Sequence, residues 1–425
     1  ASAGNSVLQG FRVNAGVLTA IAGPVGLPDR PSGIVAGPSG YELYVASEQA
    51  SEVQAFSITP GTGGPDLAQR QRVRISGGVL GVASAERGLL REPRLLYAVH
   101  ASGQSLSSYA VDPVTGALSI NGGGAAVELS PRGLAIDADA GLAYVANEGA
   151  ANVTMLRLDP ATGQPTTIGQ RGVGQEPFGV AFELTRRFLY VSNGGSGSVS
   201  MLGVNRMNGG LTTLGSPIAT GPMPGWIASD PTGQFVYVVN RGDSTLSGYR
   251  IDPQTGLLSP TPTPTVSSGG LGAARAVIHP SGRFLYVTNT ITGDVAGFLI
   301  DPTDGDLLGL GQPALAGDAP GPLAVDPLGE YLFVGNEGTG DVTLFDVNPV
   351  SGSLTRVFGP TAVVGNTVAA LSVDPTGRFV HASEPTADVI VAFAFNRAIG
   401  TLSLIESQGA AAGQPSGLGS TGSIQ

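Results

Sequence analysis

An aromatic residue recurs at the centre of a short apolar stretch about every 48 residues along the chain. The first seven of these aromatic positions are Tyr44, Tyr97, Tyr144, Tyr190, Tyr237, Tyr286 and Phe333. An eighth, degenerate copy lies at 379–381. Short apolar runs bounded by glycine and proline predict β-strands, and no stretch has the length and 3.6-residue period of a substantial helix.

Two tight turns separate the predicted strands of each copy. The first has the pattern Asp-Pro-x-Gly, as at 230–233 and 374–377, and the second has the pattern Asp-Pro-x-Thr-Gly, as at 112–116 and 252–256. Proline presets φ and glycine accepts positive φ, so both patterns are typical of turns. Each copy therefore predicts four strands, A to D, joined by hairpins.

These repeats predict an all-β chain folded as a β-propeller, because a four-stranded sheet buries both faces only when it packs between others around an axis. Eight complete units run from 31 to 405. The N-terminal residues resemble strands C and D, and the residues after 414 resemble strand A. We therefore expect a single domain over 1–425 with about nine blades, the ninth closed by 6–20 with 414–424. The alternative is eight blades, with the two ends used elsewhere.

Composition supports many short strands and narrows the partners. The chain has 66 glycines and 31 prolines, yet 41% of its residues are hydrophobic, unlike a disordered chain. The net charge is −11, which argues against a nucleic-acid partner. No apolar run is long enough to span a membrane. The small residues Ala1, Ser2 and Ala3 resemble a mature end after signal removal, which predicts a secreted, periplasmic or cell-surface protein.

One copy of the repeat carries a family signature. Tyr286-Val287-Thr288-Asn289 spells the tetrapeptide that gives the YVTN propeller repeats their name. Together with the Asp-Pro turns, the unit resembles the lactonase-like propellers that include 6-phosphogluconolactonase. The resemblance covers nearly the whole chain. It implies a propeller fold, with seven blades in typical enzymes of the family, and His, Arg and acidic residues around the channel.

The histidines depart from that pattern. The chain has three, at 100, 279 and 381. His279 takes the aspartate position of a turn, His100 replaces the asparagine that ends the aromatic strand, and His381 lies within that strand. We interpret all three as structural residues.

Candidate ligand-binding residues lie where the innermost strand A begins, because the D–A and B–C connections share the variable face of a propeller. Trp226 and Arg275 occupy a position that is glycine in other copies, and Phe178 and Arg132 lie next to it. Glu337 lies in a loop on the same face. An aromatic ring with a guanidinium binds sugars, anions or small carboxylates. The alternative is that Trp226 fills a channel gap and Arg275 pairs with a loop carboxylate.

Cofactors and partners are less well specified by the sequence. No cofactor is predicted, although Asp294 and Asp341 are weak candidates for Ca²⁺, and aspartate before a strand also caps turns. A basic cluster at 70–74 and 87–94 is a candidate contact for an acidic protein or for self-association. Its alternative is a solvent-facing outer strand. A small-molecule ligand is also a candidate partner.

Three functions remain open from the sequence. The first is a secreted or surface scaffold for binding or assembly, without evident catalytic machinery. The second is a lactonase-like hydrolase or isomerase that acts on a small lactone or carboxylate at the channel mouth. The third is a carbohydrate-binding propeller. The sequence does not decide whether the protein is an enzyme.

Overall fold

The computed structural model describes residues 92–359 and 362–423 and, before them, eight strands between residues 7 and 74; side chains are described over 95–359 and 362–419. The chain divides into two compact units, 1–90 with 424–425, and 91–423, and each is described by itself. The single domain expected over 1–425 stays a prediction. Among the described residues, no helix has the length and hydropathy needed to cross a membrane. The side chains of the basic cluster at 70–74 and 87–94 lie outside the described residues.

In the strands of the first unit that the structure describes, there are one four-stranded sheet and two two-stranded sheets. The larger sheet has the order β5-β6-β7-β8, and the smaller ones are the pairs β2-β3 and β1-β4. Its strands are β1 (Val7–Leu8), β2 (Phe11–Asn14), β3 (Val17–Ala20), β4 (Val25–Gly26), β5 (Pro31–Ala36), β6 (Glu42–Ser47), β7 (Glu52–Ser57) and β8 (Ala68–Arg74).

The second unit is a seven-bladed propeller over the described residues 92–423. Each blade is an antiparallel sheet with strands in the order A-B-C-D. The prediction of an all-β propeller is therefore confirmed, and the predictions of nine blades and of eight blades are wrong. The first predicted repeat, at 31–74, forms the four-stranded sheet of the first unit, and the first blade of the ring takes strand B from the second repeat.

The strands of blades 1 to 7 are given by their place in the sheet. Strands A are β40 (Pro415–Ser423), β13 (Pro131–Asp137), β17 (Pro177–Phe182), β22 (Pro224–Ser229), β26 (Ala273–Ile278), β31 (Pro320–Val325) and β36 (Ala370–Val373). Strands B are β9 (Glu92–His100), β14 (Leu142–Asn147), β18 (Phe188–Asn193), β23 (Phe235–Asn240), β27 (Phe284–Asn289), β32 (Tyr331–Asn336) and β37 (Phe379–Glu384).

The outer strands follow in the same order. Strands C are β10 (Ser105–Val111), β15 (Asn152–Leu158), β19 (Ser198–Val204), β24 (Thr245–Ile251), β28 (Asp294–Ile300), β33 (Asp341–Val347) and β38 (Val389–Asn396). Strands D are β11 (Leu118–Ile120) with β12 (Ala125–Ala126), β16 (Pro165–Gly172), β20 (Leu211–Thr213) with β21 (Ile218–Ala219), β25 (Leu258–Ser267), β29 (Leu307–Gly309) with β30 (Ala314–Leu315), β34 (Leu354–Arg356) with β35 (Ala362–Val363), and β39 (Thr401–Gly409). One 3₁₀ turn, Glu148–Ala150, follows β14.

The C-terminal strand closes the ring. Strand β40 pairs antiparallel with β9, with Leu418 opposite Ala98, and completes blade 1 as its innermost strand. The C-terminal segment is thus a strand A, as its sequence predicts, but the predicted closure with residues 6–20 is wrong, since β40 pairs with β9 of the second repeat. Any free strand edge of suitable register can accept a strand, so the local pattern does not select the partner. The seven A strands contact one another in a closed cycle, β40-β13-β17-β22-β26-β31-β36.

The apolar core lies between the blades. Within the described residues, each pair of neighbouring blades encloses one buried cluster, including the pair formed by blades 7 and 1. Fully buried aromatic residues of strand B dominate these clusters, as in Tyr237 and Phe333. Burial between sheets is the main stabilising term in such a ring.

Tyrosine hydroxyls connect most of the blade junctions. The Oη atom of Tyr97 donates to the carbonyl of Gly163, in the C–D turn of the next blade, at 2.8 Å. The equivalent bonds, at 2.7–3.1 Å, join Tyr144 to Gly209, Tyr190 to Gly256, Tyr237 to Gly305, and Tyr286 to Gly352. At the junction from blade 7 to blade 1 this position holds His381, whose two ring nitrogens make no hydrogen bond within the described residues.

Arginines also connect neighbouring blades, at the junctions 3–4, 4–5, 5–6 and 7–1, on the face formed by the A–B and C–D turns. The guanidinium of Arg187 lies 5.1 Å from the ring centroid of Phe188 and donates to the carbonyl of Pro253 in the next blade at 2.6 Å. The same arrangement recurs at Arg250, Arg283 and Arg378. A guanidinium can stack on a ring and donate in its own plane, so one arginine serves both contacts.

Candidate functional site

A cavity of about 550 Å³ lies where strand A begins in the seven blades of the second unit. Every blade contributes to its wall. The lining residues are Arg132, Phe178, Trp226, Arg241, Gly272, Ala273, Ala274, Arg275, Thr290, Glu337, Thr367, Ala369, Pro385 and Ser416. The volume is in the range of sites for small molecules.

All five residues that the sequence singles out line this one cavity. Arg132, Phe178, Trp226, Arg275 and Glu337 come from blades 2 to 6. The structure brings them together because the A strands converge on the same axis. Their role in ligand binding stays a prediction.

The guanidinium of Arg275 is held by two contacts. Its Cζ atom lies 4.7 Å from the Trp226 ring centroid, and its Nη2 donates to the carbonyl of Ala369 across the channel at 2.7 Å. Burial lowers the pKa of Arg275 to about 10, and the Glu337 carboxylate partly offsets this effect. Arg275 therefore remains a cation at neutral pH. This longer-range attraction to Glu337 is the support that the structure gives to the alternative in which Arg275 pairs with a loop carboxylate.

Glu337 supplies a carboxylate to the cavity wall, and burial changes its pKa. It follows strand-ending Asn336 and lies over Gly321, where an added Cβ would clash with its Oε1. Desolvation by the cavity raises the pKa of Glu337 above its ordinary value, and the nearby Arg275 guanidinium partly offsets this. A carboxylate with a raised pKa is suited to accept a proton near neutral pH.

A further arginine, Arg241, belongs to the site and is missed by the sequence analysis. Its guanidinium lies over the Phe178 ring with Cζ 4.3 Å from the centroid. Its Nε is buried and has no hydrogen-bond partner within the described residues. Burial lowers the pKa of Arg241 as well.

Arg132 is, by contrast, already paired. Its Nε lies 2.8 Å from Oε2 of Glu148, and its Cζ lies 5.9 Å from the Phe178 centroid. The three arginines thus differ in their partners. Arg132 forms an ion pair with Glu148, Arg275 donates to the Ala369 carbonyl, and the Nε of Arg241 has no hydrogen-bond partner within the described residues.

A fixed spacing explains which side chains reach the cavity. Arg241 and Glu337 each follow the asparagine that ends strand B, and each lies sixteen residues after a glycine of strand A, Gly225 and Gly321. An added Cβ at Gly225 would meet Cδ of Arg241 at 2.8 Å. A small residue on strand A therefore leaves room for a long side chain from the end of strand B. This sixteen-residue spacing is the sequence feature from which Arg241 could have been predicted to reach the cavity.

The histidines lie outside the cavity wall. His279 lies in the A–B turn of blade 5, and its ring nitrogens contact Ser281 at 2.7 Å and the carbonyl of Gly329 at 2.8 Å. His100 is buried, with Nδ1 3.1 Å from the carbonyl of Gly413. His381 is fully buried, and burial lowers its pKa to about 4.

The two calcium candidates take part in hydrogen bonds of their own blades. Asp294 accepts from the side chain of Asn289, and Asp341 accepts from that of Asn336, each at 2.7 Å. Among the described residues, no group of three or more His, Cys, Asp or Glu is arranged to hold a metal. A calcium site at either residue stays a prediction.

The chain matches one family model over most of its length. The model describes the lactonase family of seven-bladed β-propellers and matches residues 31–182, 183–271 and 260–365. No curated protein sequence matches the chain. The comparisons favour the lactonase-like enzyme over the scaffold that was the first expectation from the sequence.

Solved structures give the same fold. The periplasmic gluconolactonase of Pseudomonas aeruginosa is 23% identical, with a TM-score of 0.68, over 78% of this chain and 99% of that one. A protein from Bacteroides fragilis provisionally named a 6-phosphogluconolactonase is 20% identical, with a TM-score of 0.68, over 78% and 98%. Hydrazine synthase of Kuenenia stuttgartiensis is 17% identical, with a TM-score of 0.54, over 86% and 95%. At these identities the likeness concerns the fold alone.

Proposed function

Because the chain belongs to the lactonase family of seven-bladed β-propellers, we propose that its channel-mouth cavity hydrolyses a small lactone. The observation that carries this proposal is the pairing of an anchored cation, Arg275, with a carboxylate of raised pKa, Glu337, in one cavity. A scaffold without catalytic machinery would not require these groups to be buried together, since burying charges is costly.

The proposed reaction assigns one role to each group. Glu337 accepts a proton from a water molecule as the water oxygen attacks the lactone carbonyl carbon. The guanidinium of Arg275 stabilises the negative charge that develops on the carbonyl oxygen. The bond between the carbonyl carbon and the ring oxygen then breaks, and the proton passes from Glu337 to the leaving oxygen. The product is the open hydroxy acid.

Export from the cytoplasm is part of the proposal. One structural neighbour is named as a periplasmic gluconolactonase, and this supports export. Fractionation of cells that produce the native protein would test it, because a purely cytoplasmic distribution would contradict export.

The test is hydrolysis of gluconolactone followed by acid release at constant pH, with the spontaneous rate subtracted. We expect Glu337→Gln to lower kcat by about 100-fold or more, since a general base contributes at least that much. Arg275→Gln should lower kcat/KM by a similar order, as removal of one oxyanion donor does.

Two surface variants serve as matched controls. Glu128 is a half-buried carboxylate outside the cavity that is bonded to Gln170, and Arg283 lies on the turn face of blade 5. Glu128→Gln and Arg283→Gln should retain wild-type turnover. Wild-type hydrolysis of a panel of small lactones at the spontaneous rate would overturn the proposed function.

A further inference from the structure

Arg275 lies in a β-bulge at the cavity wall. The register of strand β26 against β27 shifts between Ala273 and Ala276, so that two residues of β26, one of them Arg275, oppose the single residue Thr288 of β27. Such a bulge takes backbone groups out of the ladder of hydrogen bonds and redirects the side chain. Backbone groups that leave the ladder need other partners when they are buried.

The hydroxyl of Thr288 supplies such a partner. Its Oγ1 accepts the backbone N–H of Arg275 at 3.3 Å and donates to the carbonyl of Gly321, on strand A of the next blade, at 2.8 Å. Its other carbonyl neighbour, that of Arg275, is farther away at 3.3 Å. Gly321 is the residue over which Glu337 lies. One buried hydroxyl therefore connects the backbone of the cation to the backbone beneath the carboxylate.

The fold does not require this hydroxyl to form the bulge. The residue opposite the bulge is Ala146 in blade 2 and Val239 in blade 4, and strand A has the same register shift in both blades. Neither alanine nor valine can bond to the displaced backbone groups. The hydroxyl of Thr288 therefore has a role beyond the formation of the bulge itself.

Blade 3 repeats the arrangement with Ser192. Its Oγ accepts the N–H of Gly179 at 2.8 Å and donates to the carbonyl of Gly225 in blade 4. Gly225 in turn lies beneath the long side chain of Arg241. Within the described residues, Ser192 and Thr288 are the two residues opposite a bulge that bond to a strand A glycine of the next blade, and each of these glycines supports a charged side chain of the cavity.

We propose that Thr288 is a positioning residue for the proposed hydrolysis, because its hydroxyl holds Arg275 and the backbone beneath Glu337 at a fixed separation. Its role in turnover rests on the proposed function, whereas the coupling of the two groups can be measured without turnover. A hydroxyl that accepts from one blade and donates to the next limits their relative movement at this level. The lactone carbonyl and the attacking water then meet the cation and the base together, and a small displacement of either group lowers the rate strongly.

The first experiment titrates Glu337 in Thr288→Val, which removes the hydroxyl and keeps the shape of the side chain. Because Arg275 lowers the pKa of Glu337, a looser pair should raise that pKa. We expect the carboxyl to titrate at a higher pH in Thr288→Val than in the wild type, as it should in Arg275→Gln. Carboxyl-carbon NMR of protein labelled at glutamate measures this, and Glu337→Gln assigns the signal. Arg132 and Arg241, which also act on Arg275, are unchanged in every variant.

Two further variants separate the hydroxyl from packing. Thr288→Ser retains a hydroxyl, as Ser192 does in blade 3, and should keep the wild-type titration of Glu337. Ser192→Ala removes the equivalent hydroxyl at another junction and should leave that titration unchanged. A shift in Ser192→Ala as large as in Thr288→Val would indicate general loosening of the ring and overturn the proposal. Thermal unfolding checks that each variant is folded, and Thr288→Ala, which has Ala146 as its precedent, replaces Thr288→Val if valine does not fold.

Kinetics test the consequence for turnover. On gluconolactone, kcat of Thr288→Val should fall about 10- to 100-fold, and Thr288→Ser should restore it. KM should change little, because Thr288 is not part of the cavity wall. Failure of the wild type to hydrolyse any lactone would reject the proposed function, and the titration would still decide whether Thr288 couples the two groups. Identical titration of Glu337 in the wild type and Thr288→Val rejects the positioning role whatever the turnover.

Discussion

Glu337 and Arg275 influence each other's ionisation across the cavity. Desolvation destabilises both charged forms, so it raises the pKa of Glu337 and lowers that of Arg275, while their mutual attraction acts in the opposite sense for each. The arginine stays charged at neutral pH, and Glu337 takes up its proton at a higher pH than an ordinary glutamate does. The pH dependence of the proposed reaction should therefore report on this pair.

The first prediction concerns that pH dependence. Because only the ionised form of Glu337 accepts a proton, kcat/KM should rise with pH through a pKa that lies above the ordinary value for glutamate. In Arg275→Gln this midpoint should move further up, because the guanidinium lowers the pKa of Glu337. Initial rates across the pH range would test both points. A midpoint at the ordinary glutamate pKa that Arg275→Gln leaves unmoved would contradict the assigned base.

At the scale of single residues, the sequence predicted which variable strand A positions line the cavity, but it did not predict every residue of the cavity. Trp226 and Arg275 stand out because glycine occupies the same position of strand A in other copies. Arg241 does not stand out, because it follows strand B and reaches the cavity only across Gly225. Its part in the site depends on contact between residues sixteen positions apart, which a comparison of strand A alone does not include.

At the scale of the element, strand β40 carries the closure of the ring. Pro415-Ser416-Gly417 repeats the pattern of Pro31-Ser32-Gly33, and both segments form the first edge strand of a four-stranded sheet, with a register shift at the same place. The pattern therefore predicted the type of strand. Its partner, β9, was not predicted, since hydrogen bonds between strands are made by the backbone and carry little sequence information.

The second prediction tests this closing strand. Leu418 of β40 packs against the buried cluster that contains Leu96 and Tyr109. We expect Leu418→Asp to lower the free energy of unfolding by about 3 kcal/mol, through lost burial and a partly buried carboxylate. Leu404→Asp on the outer strand β39 is the control, because Leu404 is 64% exposed, and should change it by less than about 0.5 kcal/mol. Urea unfolding gives both values, and equal effects would show that β40 does not close the ring.

At the scale of the whole molecule, the number of blades could not be read from the number of repeats. The unit at 31–74 has the complete strand pattern and forms a complete sheet, yet the ring of A strands closes over the described residues 92–423 without it. How many sheets complete a circle depends on the angle at each junction. That angle is set by packing between blades and not by the pattern within one blade.

The junction between blades 7 and 1 differs from its neighbours at His381. Five other junctions have a tyrosine hydroxyl bonded to a turn glycine, whereas both nitrogens of His381 are buried and unbonded within the described residues. Burial lowers the pKa of His381 to about 4. The unfolded chain therefore binds a proton below about pH 6.5 that the folded chain does not take up until about pH 4.

The third prediction follows from this difference. His381→Tyr should raise the free energy of unfolding at neutral pH by about 1 kcal/mol, if its hydroxyl reaches the equivalent turn carbonyl at Gly116. It should also remove a loss of up to about 3 kcal/mol that the wild type suffers as the pH falls from about 6.5 to about 4. Denaturant unfolding at several pH values measures both effects. Tyr286→Phe removes the equivalent hydroxyl at another junction and should lower the free energy of unfolding by about 1 kcal/mol. If the loss of stability in acid is unchanged in His381→Tyr, His381 is not its cause.

The pairing of β40 with β9 has a consequence for synthesis of the chain. His100 and Gly413, which touch in the finished ring, lie 313 positions apart. While the ribosome makes the six blades between them, the inner edge of β9 has no strand to cover it, and a bare edge attracts other strands. That edge is therefore open to wrong pairing until β40 has been made, and slow translation of the last blades would lengthen this interval.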